Sequence, residues 1–263
     1  MNIGRIAALI TRHLYLYRRS FPRLLEIFYW PLLDLVVWCF ITLYLSQEGG
    51  GLHVAVTFFL GALIFWDILF RAQQGVTISF LEEIWSRNLM NLFASPLTAG
   101  EFLAATMAMS IFKVAAVSII MAFTALFFYS YNVFIIGLSL IPLVFNLIAM
   151  GWLIGILTMS IIMRFGQQAE VLAWGLVFLF QPISCVFYPV SVLPSWLQPV
   201  ALGNPATHVF EGMRSILINQ TVPWQHLAWA TALNALYLFI IIAIYQYTFS
   251  VCKERGMLVR VGE

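Results

Sequence analysis

The chain has 263 residues, of which 62% are hydrophobic and 9% charged, with a formal net charge of +2. Soluble domains carry about 25% charged residues, so the composition excludes an ordinary water-soluble fold. It points to an all-α integral membrane protein whose length suits about six crossing helices and leaves no room for a sizeable soluble domain.

Several chemistries are missing from the sequence. No segment reads GxxxxGK(S/T), so the chain has no phosphate-cradling loop of its own, and no bound cofactor is expected. Cys39, Cys185 and Cys252 form neither a CxxC pair nor a Cys/His metal spacing. His13, His53, His208 and His226 fall near the ends of apolar stretches and make no metal spacing either. Neither a metal site nor a catalytic group is expected. The Asn219-Gln220-Thr221 sequon matters only in a eukaryotic secretory pathway.

Residues 1–24 do not read as a cleaved signal, because Arg5, Arg12, Arg18, Arg19 and Arg23 run through the whole segment. At ~100° per residue, Ile3, Ile6, Ile10, Leu14, Tyr17 and Phe21 share one helical face, and Arg5, Arg12 and Arg19 share another. The segment is expected to be a basic amphipathic helix in the membrane interface. It reads either as an anchor to anionic lipid or as a helix that couples the membrane part to a cytoplasmic partner.

The membrane region covers residues 25–251. Its first span is expected over roughly Ile27–Leu45, closed by the Gln47-Glu48-Gly49-Gly50-Gly51 loop. The second covers roughly His53–Ala72, and a more polar stretch follows from Gln73 to Gly100. The third covers Phe102–Tyr129, with a turn around Ser130-Tyr131-Asn132. The fourth covers Val133–Met163, where Pro142 supplies a bend site. After a polar break over Arg164–Glu170, the fifth runs from Val171 to Phe187 into a proline-rich region. The sixth covers Leu227–Val251, and a basic tail over residues 252–263 carries Lys253, Arg255 and Arg260. Lys and Arg favour the cytoplasmic side. The basic segments share one side in a six-span arrangement, and the opposite loops hold only Arg214, so both termini are expected in the cytoplasm.

Four constellations stand out. Between Phe80 and Pro96, Leu81, Ile84, Trp85, Leu89 and Leu92 recur at helical spacing while Glu82, Glu83, Arg87 and Asn91 are polar. That pattern fits a short crosswise helix, either lying on lipid or docking into a groove on a partner. Thr98 and Glu101 have capping-box spacing for the next helix. Asp34, Asp67 and Lys113 are ionisable residues inside spans, where charge is costly and is paired or lines a pathway. Asp67 has Lys113 or Arg71 as its candidate partner, and a structural ion pair, a proton relay and a substrate contact all remain open. Gly151 and Gly155 make a GxxxG for close helix approach, within one subunit or at a seam between two. Tyr29, Trp30, Trp38 and Tyr44 are pathway candidates, whereas Tyr129, Tyr131 and Trp224 suit an interfacial belt.

Taken together, these pieces resemble the ABC-2 type permeases, the membrane subunits of ATP-driven exporters. The matching residues are the basic N-terminal helix; Glu82-Glu83, Arg87-Asn88-Leu89, Leu92-Phe93-Ala94-Ser95-Pro96-Leu97 and Glu101; Gln181-Pro182-Ile183-Ser184, Phe187-Tyr188-Pro189-Val190, Leu193-Pro194 and Trp196-Leu197; and Asn204-Pro205-Ala206-Thr207-His208 with Glu211-Gly212-Met213-Arg214. The resemblance covers essentially the whole chain as a single domain, residues 1–263. It implies that Glu82, Glu83, Trp85, Arg87, Leu89, Leu92 and Phe93 form the ATPase-coupling region, with Arg5, Arg12 and Arg19 on the interfacial helix. It also implies short re-entrant helices after span five as an external gate, where Pro189, Trp196, Glu211 and Arg214 stand. Glu211 and Arg214 are three apart and suited to pair.

The implied partners are a separate ABC ATPase subunit carrying ATP and Mg, a second permease copy (identical or different) and membrane lipid; nucleic acid is not among them. The implied location is the bacterial cytoplasmic membrane. The implied function is outward movement of an amphiphile such as a drug, lipid or glycoconjugate, and no residue in the sequence chooses among these. An ion-gradient-driven secondary transporter is the alternative. It would show broken helices in both halves near mid-membrane, whereas the prolines cluster only after span five.

Overall fold

The computed structural model of the chain describes residues 1–48, 53–129, 137–219 and 221–256. Of the loop expected at Gln47–Gly51, Gln47 and Glu48 belong to a helix and the glycines lie outside the described residues, as do the turn expected at Ser130–Asn132, Gln220 of the sequon and Arg260 of the tail. Among the described residues all regular structure is helical. In chain order it comprises α1 (Ile3–Arg19), α2 (Phe21–Glu48), α3 (His53–Trp85), α4 (Leu89–Ala94), α5 (Ala99–Tyr129), α6 (Leu140–Phe165), α7 (Leu172–Phe180), α8 (Gln198–Leu202), α9 (Pro205–Asn219) and α10 (Trp224–Glu254). Short 3-10 turns follow α6 and α7.

Among the described residues, three stretches are long and apolar enough to cross a bilayer by length and composition: Ala99–Phe128, Gly137–Ala169 and Trp224–Glu254. They have different surroundings. In the most apolar window of each, 56% of the α6 residues are buried in the protein, against 22% in α5 and 17% in α10. So α6 is the interior post, and α5 and α10 are peripheral. Phe112, Ile119, Phe123 and Phe127 on α5, with Leu236, Phe239 and Tyr247 on α10, are exposed. An apolar surface of that kind belongs against lipid.

The second post is α3, which packs on α6, α5, α2 and α7. The sequence places the end of its span near Ala72, with a polar stretch beyond. Instead the helix continues unbroken to Trp85. The polarity that looked like a loop is buried: Gln73, Thr77 and Ser79 are all fully covered. The Gln73 amide donates to Thr77 Oγ1 at 3.1 Å and to the Ala173 carbonyl at 3.0 Å, tying α3 to α7. Similar polar ties join other helix pairs. Asn234 donates to Asn146 Oδ1 at 2.9 Å between α10 and α6. The Trp152 indole donates to Ser110 Oγ at 2.6 Å between α6 and α5. In lipid, where apolar contact alone gives little preference for one helix face over another, such bonds help fix which faces meet.

The GxxxG of α6 sets how closely α6 approaches α3. A Cβ on Gly151 would stand 2.5 Å from the Leu69 carbonyl oxygen and 2.6 Å from Ala72 Cβ; one on Gly155 would stand 2.9 Å from the Gln73 carbonyl oxygen. The motif therefore serves packing within one chain.

Three boundaries differ from expectation. Pro142 sits in the first turn of α6, where its missing N–H costs nothing, so it starts the helix rather than bending it. The helix of the fifth apolar stretch is only nine residues, ending at Phe180, because Pro182 removes a donor and a 3-10 turn takes over. Gly166, at φ +71°, ends α6 and makes the polar break before α7.

Gly151→Ala is expected to lower the melting temperature of the purified protein by several degrees. Gly175→Ala, where an added Cβ meets nothing within 4 Å, is expected to leave it unchanged. Equal behaviour of the two variants in a thermal unfolding assay would contradict the α3–α6 packing.

Candidate functional site

The polar residues gather at one end of the bundle, where α1, the ends of α3 and α5, and α4 meet. Helix α1 begins at Asn2, whose side chain accepts from the Gly4 amide at 2.9 Å. Its expected faces are present but turned. Leu9 and His13, on the strip between the arginine and apolar faces, are the buried residues, while Ile3 and Phe21 are exposed. This rotation brings two of the arginines against the protein. Arg12 grips Glu83 with both guanidinium nitrogens, at 2.7 and 3.0 Å. Arg5 donates to the Pro96 carbonyl and stands 3.6 Å from Glu101. Arg19 remains exposed.

Two glutamates on α3 organise this end. Glu83 is 1% exposed and also accepts from the Asn88 side chain at 2.7 Å, which ties α1, α3 and the start of α4 to one carboxylate. Glu82 lies 3.5 Å from Arg23 and accepts from the Tyr17 hydroxyl. Between them His13 is fully buried, with its ring nitrogens 3.8 Å from Glu82 and 3.9 Å from Glu83, and without a hydrogen-bond partner for either. Burial lowers its pKa to about 4; Glu83 pulls upward, Lys113, Arg12 and Arg23 push further down, and burial wins. The imidazole is neutral at pH 7. Lys113 lies 4.7 Å from the centre of the Tyr17 ring. On α5, Glu101 completes the expected capping box: it accepts from the Thr98 amide at 2.9 Å, and its own amide donates to Thr98 Oγ1 at 3.2 Å. It also accepts from the Asn2 amide at 2.7 Å, pinning the start of α1.

The segment expected as one crosswise helix is thus two pieces. Glu82, Glu83 and Trp85 belong to the end of α3; Arg87, at φ +52°, makes the turn; and α4 spans Leu89–Ala94. The expected apolar docking face points inward. Leu89 and Leu92 are buried in the core, and Phe93 packs edge-on against Phe102 and Phe249. Trp85 stacks on Trp174 and donates to Glu170 at 3.1 Å, so it joins the end of α3 to the base of α7. The outward surface carries Arg87, Met90 and Asn91 instead. Met90 is 56% exposed; at ~100° per residue it falls opposite Leu81 and Leu92, off the apolar face that the sequence reading followed. Beside it, a groove of about 280 Å³ runs between α1 and the α4–α5 turn, lined by Arg5, Arg12, Leu92 and Pro96 among others.

At the other end, residues 181–204 have little regular structure, and their backbone is satisfied by side chains. Thr207 donates to the Ile183 carbonyl at 2.8 Å, Arg214 to the Cys185 carbonyl at 3.2 Å, and Tyr237 to the Gly203 carbonyl at 2.8 Å. Glu211 accepts from the Val190 amide at 2.8 Å and pairs with Arg214 at 2.8 Å, the ion pair that the sequence spacing indicated. Cys185 sits at φ +53° and is buried. Pro189 is half-buried and Trp196 is 73% exposed. His208 and His226 meet at 3.3 Å through their Nδ1 atoms, a contact that the sequence did not foretell. Burial lowers the His208 pKa.

Of the intramembrane residues, Asp67 pairs with Arg71 at 3.2 Å, one of its two candidate partners. Asp34 accepts from the Trp38 indole and has no ion-pair partner among the described residues. Both aspartates line a cavity of about 620 Å³ that also holds Trp30, Trp38, Trp66 and Trp174. The described residues contain no group of three or more His, Cys, Asp or Glu able to hold a metal ion.

A helical bundle with lipid-facing apolar helices and a clamped amphipathic helix at one end defines a multi-pass membrane protein. The family model for the ABC-2 type transporter matches residues 6–218, and the chain belongs to that family: it is an ABC transporter permease. No curated protein matches it.

Arg12→Ala strands a buried carboxylate and is expected to cost about 3 kcal/mol. Glu83→Gln in the same background is expected to recover part of that loss, because a neutral amide needs no counter-ion. Chemical unfolding of the single and double variants reads both effects, and a double variant no better than Arg12→Ala would refute the pairing. His13 adds a pH dependence. Its folded pKa lies below its unfolded value of about 6.5, so its stabilising contribution is complete above pH 6.5 and falls away as pH drops towards 4. Between pH 7 and pH 5 the loss is on the order of 2 kcal/mol. His13→Gln is expected to flatten that stretch of the profile.

Proposed function

We propose that this permease is the transmembrane subunit of an ATP-driven exporter, moving an amphiphile outward through six spans formed by α2, α3, α5, α6, α10 and, as the fifth, the nine-residue α7 continued by the irregular chain after it. In this reading both termini and α4 lie in the cytoplasm, and α8 and α9 form re-entrant helices at the external gate. The location is a bacterial inner membrane. Two copies pair, and each meets a separate ATPase subunit that binds ATP and Mg.

The observation that carries this reading is the clamped base. A helix on the membrane surface, the end of α3 and a short crosswise helix are locked to Glu83, and beside them lies a surface of Arg87, Met90 and Asn91. Closure of the ATPases on that surface moves α4, and Glu83 makes α1 and α3 move with it. Trp85 carries the displacement to α7 through Trp174 and Glu170. The two arrangements of this base are the two-state element that coupling requires.

The first test is affinity purification of the tagged protein from gently solubilised native membranes, where a stoichiometric ATPase is expected. In the purified complex, Met90→Glu is expected to reduce transport at least tenfold. Permease abundance in the membrane should be unchanged, as should the behaviour of a lipid-facing control, Ile119→Val. Normal transport by Met90→Glu would remove α4 from the coupling surface.

A further inference from the structure

The aromatic cavity near mid-membrane is not isolated. A second cavity of about 260 Å³ lies towards α1, and the two share Arg71, Gln74 and Trp174 in their walls. Together they form one cleft along α2, α3 and α7. On α2 it extends from Arg23 to Trp38, about 22 Å at 1.5 Å per residue, or roughly two-thirds of a bilayer's hydrocarbon thickness.

Its two ends differ chemically. The end beside α1 brings Arg23, Arg71 and Lys113 around a single carboxylate, Glu82. The far end presents Trp30, Trp38, Trp66 and Phe187. Arg71 and Asp67 neutralise each other at 3.2 Å, so the excess positive charge at this end comes from Arg23 and Lys113 against Glu82; the Arg71 guanidinium reaches Gln74 Oε1 at 3.1 Å and borders both cavities as a hydrogen-bond donor. Asp34 is exposed in the upper chamber, 11 residues beyond Arg23 on α2, which places it about 16 Å from the basic group along the helix axis.

We infer that this cleft binds the exporter's cargo, and that the cargo is an amphiphile with a phosphate-type anionic headgroup. The headgroup sits among Arg23, Arg71 and Lys113, and the body lies along the tryptophans. Guanidinium groups match phosphate oxygens in a planar fork, and an ammonium adds a point charge. A headgroup there would lie at the level where a basic cluster meets the membrane surface. The inference rests on the permease reading and narrows its substrate class.

The test uses the full chain, purified in a neutral detergent, and 12-bromododecyl phosphate, whose bromine quenches tryptophan on contact. The phosphate probe is expected to half-quench at a mole fraction at least fivefold lower than bromododecyl maltoside or a bromododecyl trimethylammonium salt. Lys113→Gln and Arg23→Gln, each checked for monodispersity, are expected to bring the phosphate probe to the level of the maltoside. Arg164→Gln, an exposed change outside the cleft, should have no effect.

Equal quenching by all three probes overturns the proposal, as does tighter binding of the ammonium probe, which would assign the cleft to its carboxylates. Displacement of the probe by millimolar inorganic phosphate would make the site one for a free anion and overturn the amphiphile assignment. Because binding is read without nucleotide or ATPase, failure here with an ATPase still co-purifying rejects the cleft and leaves the permease reading intact.

Discussion

A carboxylate removed from water has to be neutralised and hydrogen-bonded where it stands, and the base of this protein is arranged around that demand at Glu83. The residue is 1% exposed, and the groups that satisfy it come from α1 and from the turn into α4. Glu101 imposes the same demand on the start of α1, through the Asn2 amide and Arg5. Helix α1 is therefore clamped at two points by glutamates from two different helices. Two of its arginines, Arg5 and Arg12, which a composition argument assigns to lipid headgroups, serve as internal counter-ions, while Arg18 and Arg19 remain exposed. The neutral His13 beside Glu82 and Glu83 fits the same logic, since a fourth cation there would be buried among Arg12, Arg23 and Lys113.

The rest of the bundle needs far fewer polar contacts. The α3–α6 seam depends on two glycines that let backbone meet backbone, and side-chain hydrogen bonds such as Trp152 to Ser110 and Asn234 to Asn146 join α6 to α5 and α10. The exception is the segment after α7, where prolines remove backbone donors. There Thr207, Arg214, Glu211 and Tyr237 supply partners to the irregular chain. An irregular backbone survives at membrane depth only when it is satisfied by protein in this way.

Much of this was legible in the sequence. The apolar runs placed the long helices, the Thr98–Glu101 and Glu211–Arg214 spacings gave real bonds, and GxxxG marked a close approach. What failed did so because polarity was read as exposure. Gln73, Thr77 and Ser79 made the second half of α3 look like a loop, although helix interiors in a membrane protein recruit such residues as ties. Glu82 and Glu83 read as the polar side of one short helix, and single-helix periodicity does not reveal that another helix covers them. The inward turn of Leu89 and Leu92 was hidden for the same reason. The His208–His226 contact joins two helices across a loop, and no local spacing encodes it.

The Arg12–Glu83 bond also has a consequence for synthesis. Its partners are 71 residues apart in the chain, and translation proceeds at roughly 5–20 residues per second. For about 4–14 s after Arg12 is made, its counter-ion does not exist. During that interval the arginines of the newborn α1 are satisfied by water and lipid headgroups, the setting that its amphipathic pattern suits. The two readings of the N-terminal helix, lipid anchor and protein-bound coupling element, then describe the same segment before and after the ribosome reaches residue 83.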